Sequence, residues 1–156
     1  MEEFLKQALR RQASSVAVIS SSLGERRFAM TLTSVCGLSM DPPSLLACLN
    51  RGASICSVVD LGAYFAINFL SSFQVSVAKS CGGNLKGEDR FDVGEWGVDE
   101  QTRVPILLGA QANICCTVRQ KYDYGSHRVV IGDAVNVRTS ADIDPLIYCN
   151  GEFATL

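Results

Sequence analysis

Histidine is the scarcest chemical resource of this chain. A single histidine, His127, stands against seven cysteines, and no two cysteines have the C-x-x-C spacing. No metal site is expected, because a tetrahedral zinc centre needs closely spaced Cys or His couples. The odd number and scattered positions of the cysteines argue against a disulfide framework, so they read as small reduced hydrophobes in a cytoplasmic protein. There is no basic block, and 14 Lys and Arg against 16 Asp and Glu leave a net charge of −2. Nucleic acid is therefore not expected as a partner, since phosphate neutralisation needs clustered cations. No apolar run approaches the roughly 20 residues that cross a bilayer, so no membrane partner is expected. The N-terminal MEEFLKQALRRQ lacks the apolar stretch of a secretory signal. Neither G-x-G-x-x-G after a strand, nor a phosphate-loop motif, nor a G-x-S-x-G elbow is present. What remains is 156 residues, 47% hydrophobic and 19% charged, the composition of one globular domain spanning 1–156.

Periodicity supplies the elements. Phe4, Leu5, Ala8 and Leu9 recur at helical spacing and predict a helix from Glu2 to about Ala13. Strands are expected near Val16–Ser20 and over Arg27–Thr33, where Phe28, Met30 and Leu32 alternate with Ala29, Thr31 and Thr33. Asp41-Pro42-Pro43 interrupts the chain before a buried strand over Ser44–Leu49. A short helix over Ala53–Asp60, capped by Ser54 or a neighbour and stopped by Gly62, precedes a strand over Tyr64–Leu70. A helix starting at Ser71 or Ser72 leads into a long loop over Ser80–Trp96, rich in glycine and charge. Two long strands, Ala110–Arg119 and His127–Arg138, follow, with Gly132-Asp133 marking a bulge, and Leu146–Cys149 makes a last short strand. Six or seven strands with short connections, and two or three short helices, predict a mainly β antiparallel barrel.

The run from Met30 to Ser54, MTLTSVCGLSMDPPSLLACLNRGAS, is the richest in chemistry. Small hydroxyls and free backbone N–H groups suit a phosphate, and an apolar strand with a polar tip suits a flat polar ring. Each of these residues also has an ordinary role open to it. Thr31, Thr33 and Ser34 can be the outward face of a strand, and Asn50 a turn residue. Lys79 and Arg90 can be solvated charges, Phe91 and Trp96 packing residues, and His127 a surface histidine at a strand start.

Five segments together resemble the short-chain NAD(P)H:flavin reductases, an FMN-binding split-barrel family. These are the reductase components of two-component flavin monooxygenases. The segments are the Met30–Ser54 run, GAYFAINFLSSFQ (62–74), DRF (89–91), GSHRVVIGDAVNV (125–137) and PLIYCNGEF (145–153). They fall in the family's order and cover almost the whole chain. The resemblance implies an antiparallel Greek-key split β-barrel with two or three short helices. It also implies hydride transfer from NADH or NADPH to FMN or FAD, a homodimer, and an oxygenase component as recipient of reduced flavin.

The same resemblance assigns Thr31, Thr33, Ser34 and Val35 to the flavin's ribityl chain and ring edge. It lays Cys48, Leu49 and Asn50 along the ring and puts Ser54 at a helix start near the phosphate. Lys79 and the Arg90-Phe91 pair belong near the same ligand, and His127 beside flavin and nicotinamide. The chain departs from the pattern at its end, where many relatives carry a histidine after an aromatic and this one reads GEFATL. Two rivals stay open: a non-catalytic flavin-binding or electron-carrier protein on the same fold, and a split-barrel oxidase acting on a pyridoxal-type phosphate. The arginine-rich phosphate cluster of the latter is not evident in the sequence.

Overall fold

Alternating apolar residues in Ile19, Phe65, Ile67 and Val118 all point to one core, and the strands that carry them curl around it. The computed structural model describes residues 1–156. Its elements are α1 (Glu2–Leu9), β1 (Ser14–Ser15), β2 (Ala17–Leu23), β3 (Arg26–Leu32), β4 (Val35–Met40), β5 (Pro43–Asn50), β6 (Tyr64–Phe69), α2 (Val75–Lys79), β7 (Trp96–Val98), β8 (Pro105–Leu107), β9 (Ala112–Tyr124), β10 (His127–Thr139), β11 (Ile147–Cys149) and β12 (Glu152–Ala154). Seven strands form one antiparallel sheet in the order β3-β2-β6-β9-β10-β5-β4. Phe28 and Leu32 of β3 share the core with Leu45, Ala47 and Leu49 of β5 and with Val35 of β4, so the two ends of the sheet meet around one interior without hydrogen-bonding to each other. This is the expected split barrel.

The expected bulge lies where Gly132 sits. Ile131 pairs with Gln120 but Gly132 pairs with Val118, so the extra residue is Arg119 on β9. Gly132 is required for a different reason: a Cβ there would lie 2.6 Å from the Phe65 ring. β8 is docked on the barrel by buried amides. Asn68 Oδ1 accepts from Leu107 N–H at 2.9 Å and from Asn113 Nδ2 at 2.8 Å. Its Nδ2 donates to the Val18 carbonyl and Ser20 Oγ, both at 2.9 Å, and Ser20 Oγ donates to the Pro105 carbonyl at 2.6 Å.

Several expectations need correction. The N-terminal helix ends at Leu9, and Phe4, Leu5 and Leu9 are exposed, so no core face holds it beyond two turns. Ala53–Asp60 is reduced to a single 3-10 turn, Ser54–Ser57, whose N-cap is Ala53; Ser54 caps nothing. The Ser80–Trp96 segment is not bare loop. It contains a π turn (Ser80–Asn84) and a 3-10 turn (Gly87–Asp92), and Trp96 opens β7. The last two long strands run on to Tyr124 and Thr139 because they pair with each other as a hairpin across Gly125-Ser126. All seven cysteines are free, with Cys56, Cys81, Cys115 and Cys116 buried. No helix is long and apolar enough to cross a membrane.

Candidate flavin site

β5 has two faces, and parity decides what each residue can do. Leu45, Ala47 and Leu49 point into the core, and Leu49 has no exposed surface. Its side chain therefore cannot lie along a ring, and Leu49 can meet a ligand there only through its backbone. Cys48 and Asn50 lie on the outward face, where β10 pairs with β5: Val129 stands opposite Cys48 and His127 opposite Asn50. Directly opposed residues put their side chains on one face of a sheet. His127 and Asn50, 77 positions apart, are thus neighbours.

Both are held by local bonds. His127 Nδ1 lies 2.8 Å from Ser126 Oγ, and Asn50 Oδ1 accepts from Gly52 N–H at 2.8 Å. The hairpin tip is clamped to the turn after β5. Arg128 donates to both Asp123 oxygens at 2.6 and 3.1 Å and to the Cys56 carbonyl at 3.1 Å, and Arg51 N–H donates to the Ser126 carbonyl at 3.0 Å. The hydrogen bond from Arg128 holds the exposed Asp123 carboxyl below its ordinary range. The loop after β3 is tied to the same strand. Ser34 Oγ donates to the Cys48 carbonyl at 2.9 Å, Cys48 N–H donates to the Ser34 carbonyl at 3.0 Å, and Val35 pairs with Ala47. Thr33 and Ser34 are exposed, lining a cleft of about 490 Å³ shared with Arg10, Tyr148 and Asn150.

The remaining expected residues divide between two more clefts. Thr31, Thr33 and Lys79 line one of about 400 Å³, closed by Gly82, Tyr148 and Phe153. Thr31 Oγ1 donates to the Ala78 carbonyl at 2.7 Å, so that hydroxyl already has a partner. Ser54 and Arg90 line another of about 360 Å³. Lys79 is therefore not in the cleft that joins Ser54 to Arg90. Phe91 is buried, edge-on to Trp96 at 4.7 Å and beneath the Arg27 guanidinium at 4.2 Å. It is a core residue, which corrects its assignment to the ligand.

The Ser54 cleft gathers cations that the sequence keeps apart. Arg26, Arg27, Lys86 and Arg90 line it, with Glu88 as its one acidic group. Arg27 is committed to Glu88: the carboxylate accepts from Arg27 N–H at 2.6 Å and from Nε at 2.8 Å. Arg90 donates to the Leu85 carbonyl at 3.0 Å and the Ala29 carbonyl at 2.6 Å, so its charge has no carboxylate partner. Arg26 stands 5.5 Å from the Phe28 ring. Four cations and one carboxylate leave a surplus of three positive charges around a serine hydroxyl. That donor set suits a phosphate monoester. Arg26, Arg27 and Lys86 had gone unmarked in the sequence because they lie on segments some sixty residues apart.

Residues 9–156 match the flavin reductase like domain family. The chain belongs to that family. It is 32% identical over 151 residues to the NADH-dependent FMN reductase RutF of Agrobacterium fabrum, covering 97% of this chain and 86% of the relative. It is 34% identical over 147 residues to the reductase component of an FADH2-dependent resorcinol hydroxylase from a Rhizobium species, covering 93% and 82%. Among solved structures, it superposes with TM-score 0.90 on BorF, the flavin reductase component of a bacterial two-component tryptophan halogenase. That match has 27% identity and covers 100% of this chain and 98% of BorF. The fold is thus that of a flavin reductase-like domain.

Proposed function

We propose that this protein, a single flavin reductase-like domain, is an NAD(P)H:flavin oxidoreductase that supplies reduced FMN or FAD to an oxygenase component. One observation carries the reading. β5 ends at Asn50 opposite His127, and four residues later Ser54 lines the cationic cleft. Four residues span at most about 14 Å, so one short segment can serve a ring at its strand end and a phosphate at its turn. The donor set of the cleft and the open outward face fit the two ends of such a ligand. The flavin, when bound, supplies the hydride-accepting chemistry.

The protein's own part is orientation. Cys48 and Asn50 present the outward face of β5 to the ring, and Asn50 limits the strand end. Ser54, Lys86 and Arg90 hold the phosphate. His127 positions the nicotinamide beside the ring and needs to exchange no proton for hydride transfer. The homodimer is supported by half-buried apolar groups on the same outward face, Leu46, Cys48, Val129 and Ile131, with Tyr122 exposed beside them. The relatives serve a resorcinol hydroxylase and a tryptophan halogenase, which supports an oxygenase as the recipient here.

The test is oxidation of NADH and NADPH with FMN, FAD, riboflavin or no flavin. Flavin-dependent oxidation is expected. A protein that quenches flavin fluorescence yet oxidises neither nucleotide with any flavin is a carrier, and the reductase reading falls.

A further inference from the structure

β3 is one free edge of the sheet, and the loop that follows α2 covers it with side chains. The Arg27 N–H is taken by Glu88 and the Ala29 carbonyl by Arg90, so an edge that would otherwise present unpaired groups is closed. Glu88 does more than close it. The carboxylate also holds the Arg27 guanidinium, through Nε and Nη2, each at 2.8 Å. It does so inside a cleft whose other charged groups, Arg26, Lys86 and Arg90, are all cations. Burial works to raise the Glu88 carboxyl, but the Arg27 N–H and guanidinium outweigh it and keep it below the usual range. Glu88 is therefore an anion at neutral pH, lodged in an anion cleft. It removes one of four cations from service and repels a second anion that enters.

We propose that Glu88 sets the release of the flavin: its charge weakens the hold on the flavin phosphate, so that flavin behaves as a substrate and the reduced form leaves. The idea rests on the reading that this cleft takes the phosphate. A neutral glutamine can still accept from Arg27, so Glu88→Gln removes the charge and keeps a closed edge. In low salt its affinity for FMN should rise roughly three- to tenfold and FMN should dissociate correspondingly more slowly, while riboflavin, which lacks the phosphate, is unchanged. The gain should shrink in high salt, where exposed charges are screened. Glu88→Ser should move FMN in the same direction.

If Glu88 only closes the edge, Glu88→Gln binds both flavins like the wild type and Glu88→Ser weakens both alike; either result overturns the proposal. Lys86→Met separates this failure from that of the cleft itself. Lys86 carries no hydrogen bond or ion pair, so its loss reports on charge alone. Lys86→Met that weakens FMN but not riboflavin, alongside an inert Glu88→Gln, rejects the role of Glu88 and keeps the cleft. Lys86→Met without any effect on the ratio rejects both.

Discussion

Two polar clusters in this molecule are opposite in economy. The buried one, Ser20, Asn68 and Asn113, closes on itself and on the carbonyls of Val18, Pro105 and Leu107. The other, around Ser54, leaves Arg26, Lys86 and Arg90 without a carboxylate. The first has every donor and acceptor spent inside the protein, as buried polar groups must. The second retains a surplus that only an external anion can use. The difference separates a polar group kept for the fold from one kept for a ligand. It also predicts that the two clusters fail differently.

Asn68→Ala should cause the largest loss. It strands the Leu107 N–H and removes a partner from Asn113, Ser20 and Val18 in a site with no exposed surface. A cost of about 3 kcal/mol or more is expected, from at least two buried groups left unpaired. Urea unfolding checks it, and the FMN affinity of the surviving folded protein should be unchanged. Gly132→Ala comes next. The added methyl would sit 2.6 Å from Phe65 and 2.9 Å from Cys116, deep in the barrel. Overpacking of this kind costs about 1–3 kcal/mol, again read by unfolding. If either variant lowered FMN affinity while stability held, the division between the clusters would be wrong.

His127→Ala probes the open face. Turnover should fall about tenfold with FMN affinity nearly intact, since a positioning loss of roughly 1.4 kcal/mol belongs to the nicotinamide side. A wild-type rate removes His127 from the reaction.

The same contrast explains what could be read in the sequence. Strands β3 and β9 were legible because one face is core and alternation marks it, and β5 because an apolar run follows the Pro42-Pro43 break. β7 and β8 were not: Pro105–Leu107 is three residues long and buried throughout, so no period exists to detect. Leu49 shares the expected ring-side segment with Cys48 and Asn50, but alternation puts its side chain inside and leaves only its backbone for a ligand. Phe91 was drawn in by its neighbour Arg90, whereas the ring serves the core and carries the Arg27 stack. The Asn50–His127 pair could be expected only through resemblance, because strand pairing across such a separation leaves no local mark. The cationic cleft was the least legible element. Its cations come from the start of β3 and from a loop far along the chain, and no composition window contains both. The cleft takes shape only once the barrel has closed.

The smallest predicted effect tests the open cluster most directly. Ser54 does not cap its turn, and its hydroxyl lies exposed at the cleft wall, so the fold does not depend on it. Ser54→Ala should therefore leave unfolding within about 0.5 kcal/mol of wild type, the ordinary range for a surface change. It should weaken FMN about fivefold and riboflavin not at all, since one hydrogen bond from an exposed hydroxyl to a phosphate contributes on the order of 1 kcal/mol. Fluorescence titration with the two flavins reads the ratio. Equal losses for both would place Ser54 against the ribityl chain or the ring, and the phosphate would then have to be held by Lys86 and Arg90 without it. A change in stability with no change in ratio would move Ser54 to the closed kind of cluster, and the surplus charge nearby would need another anion to explain it.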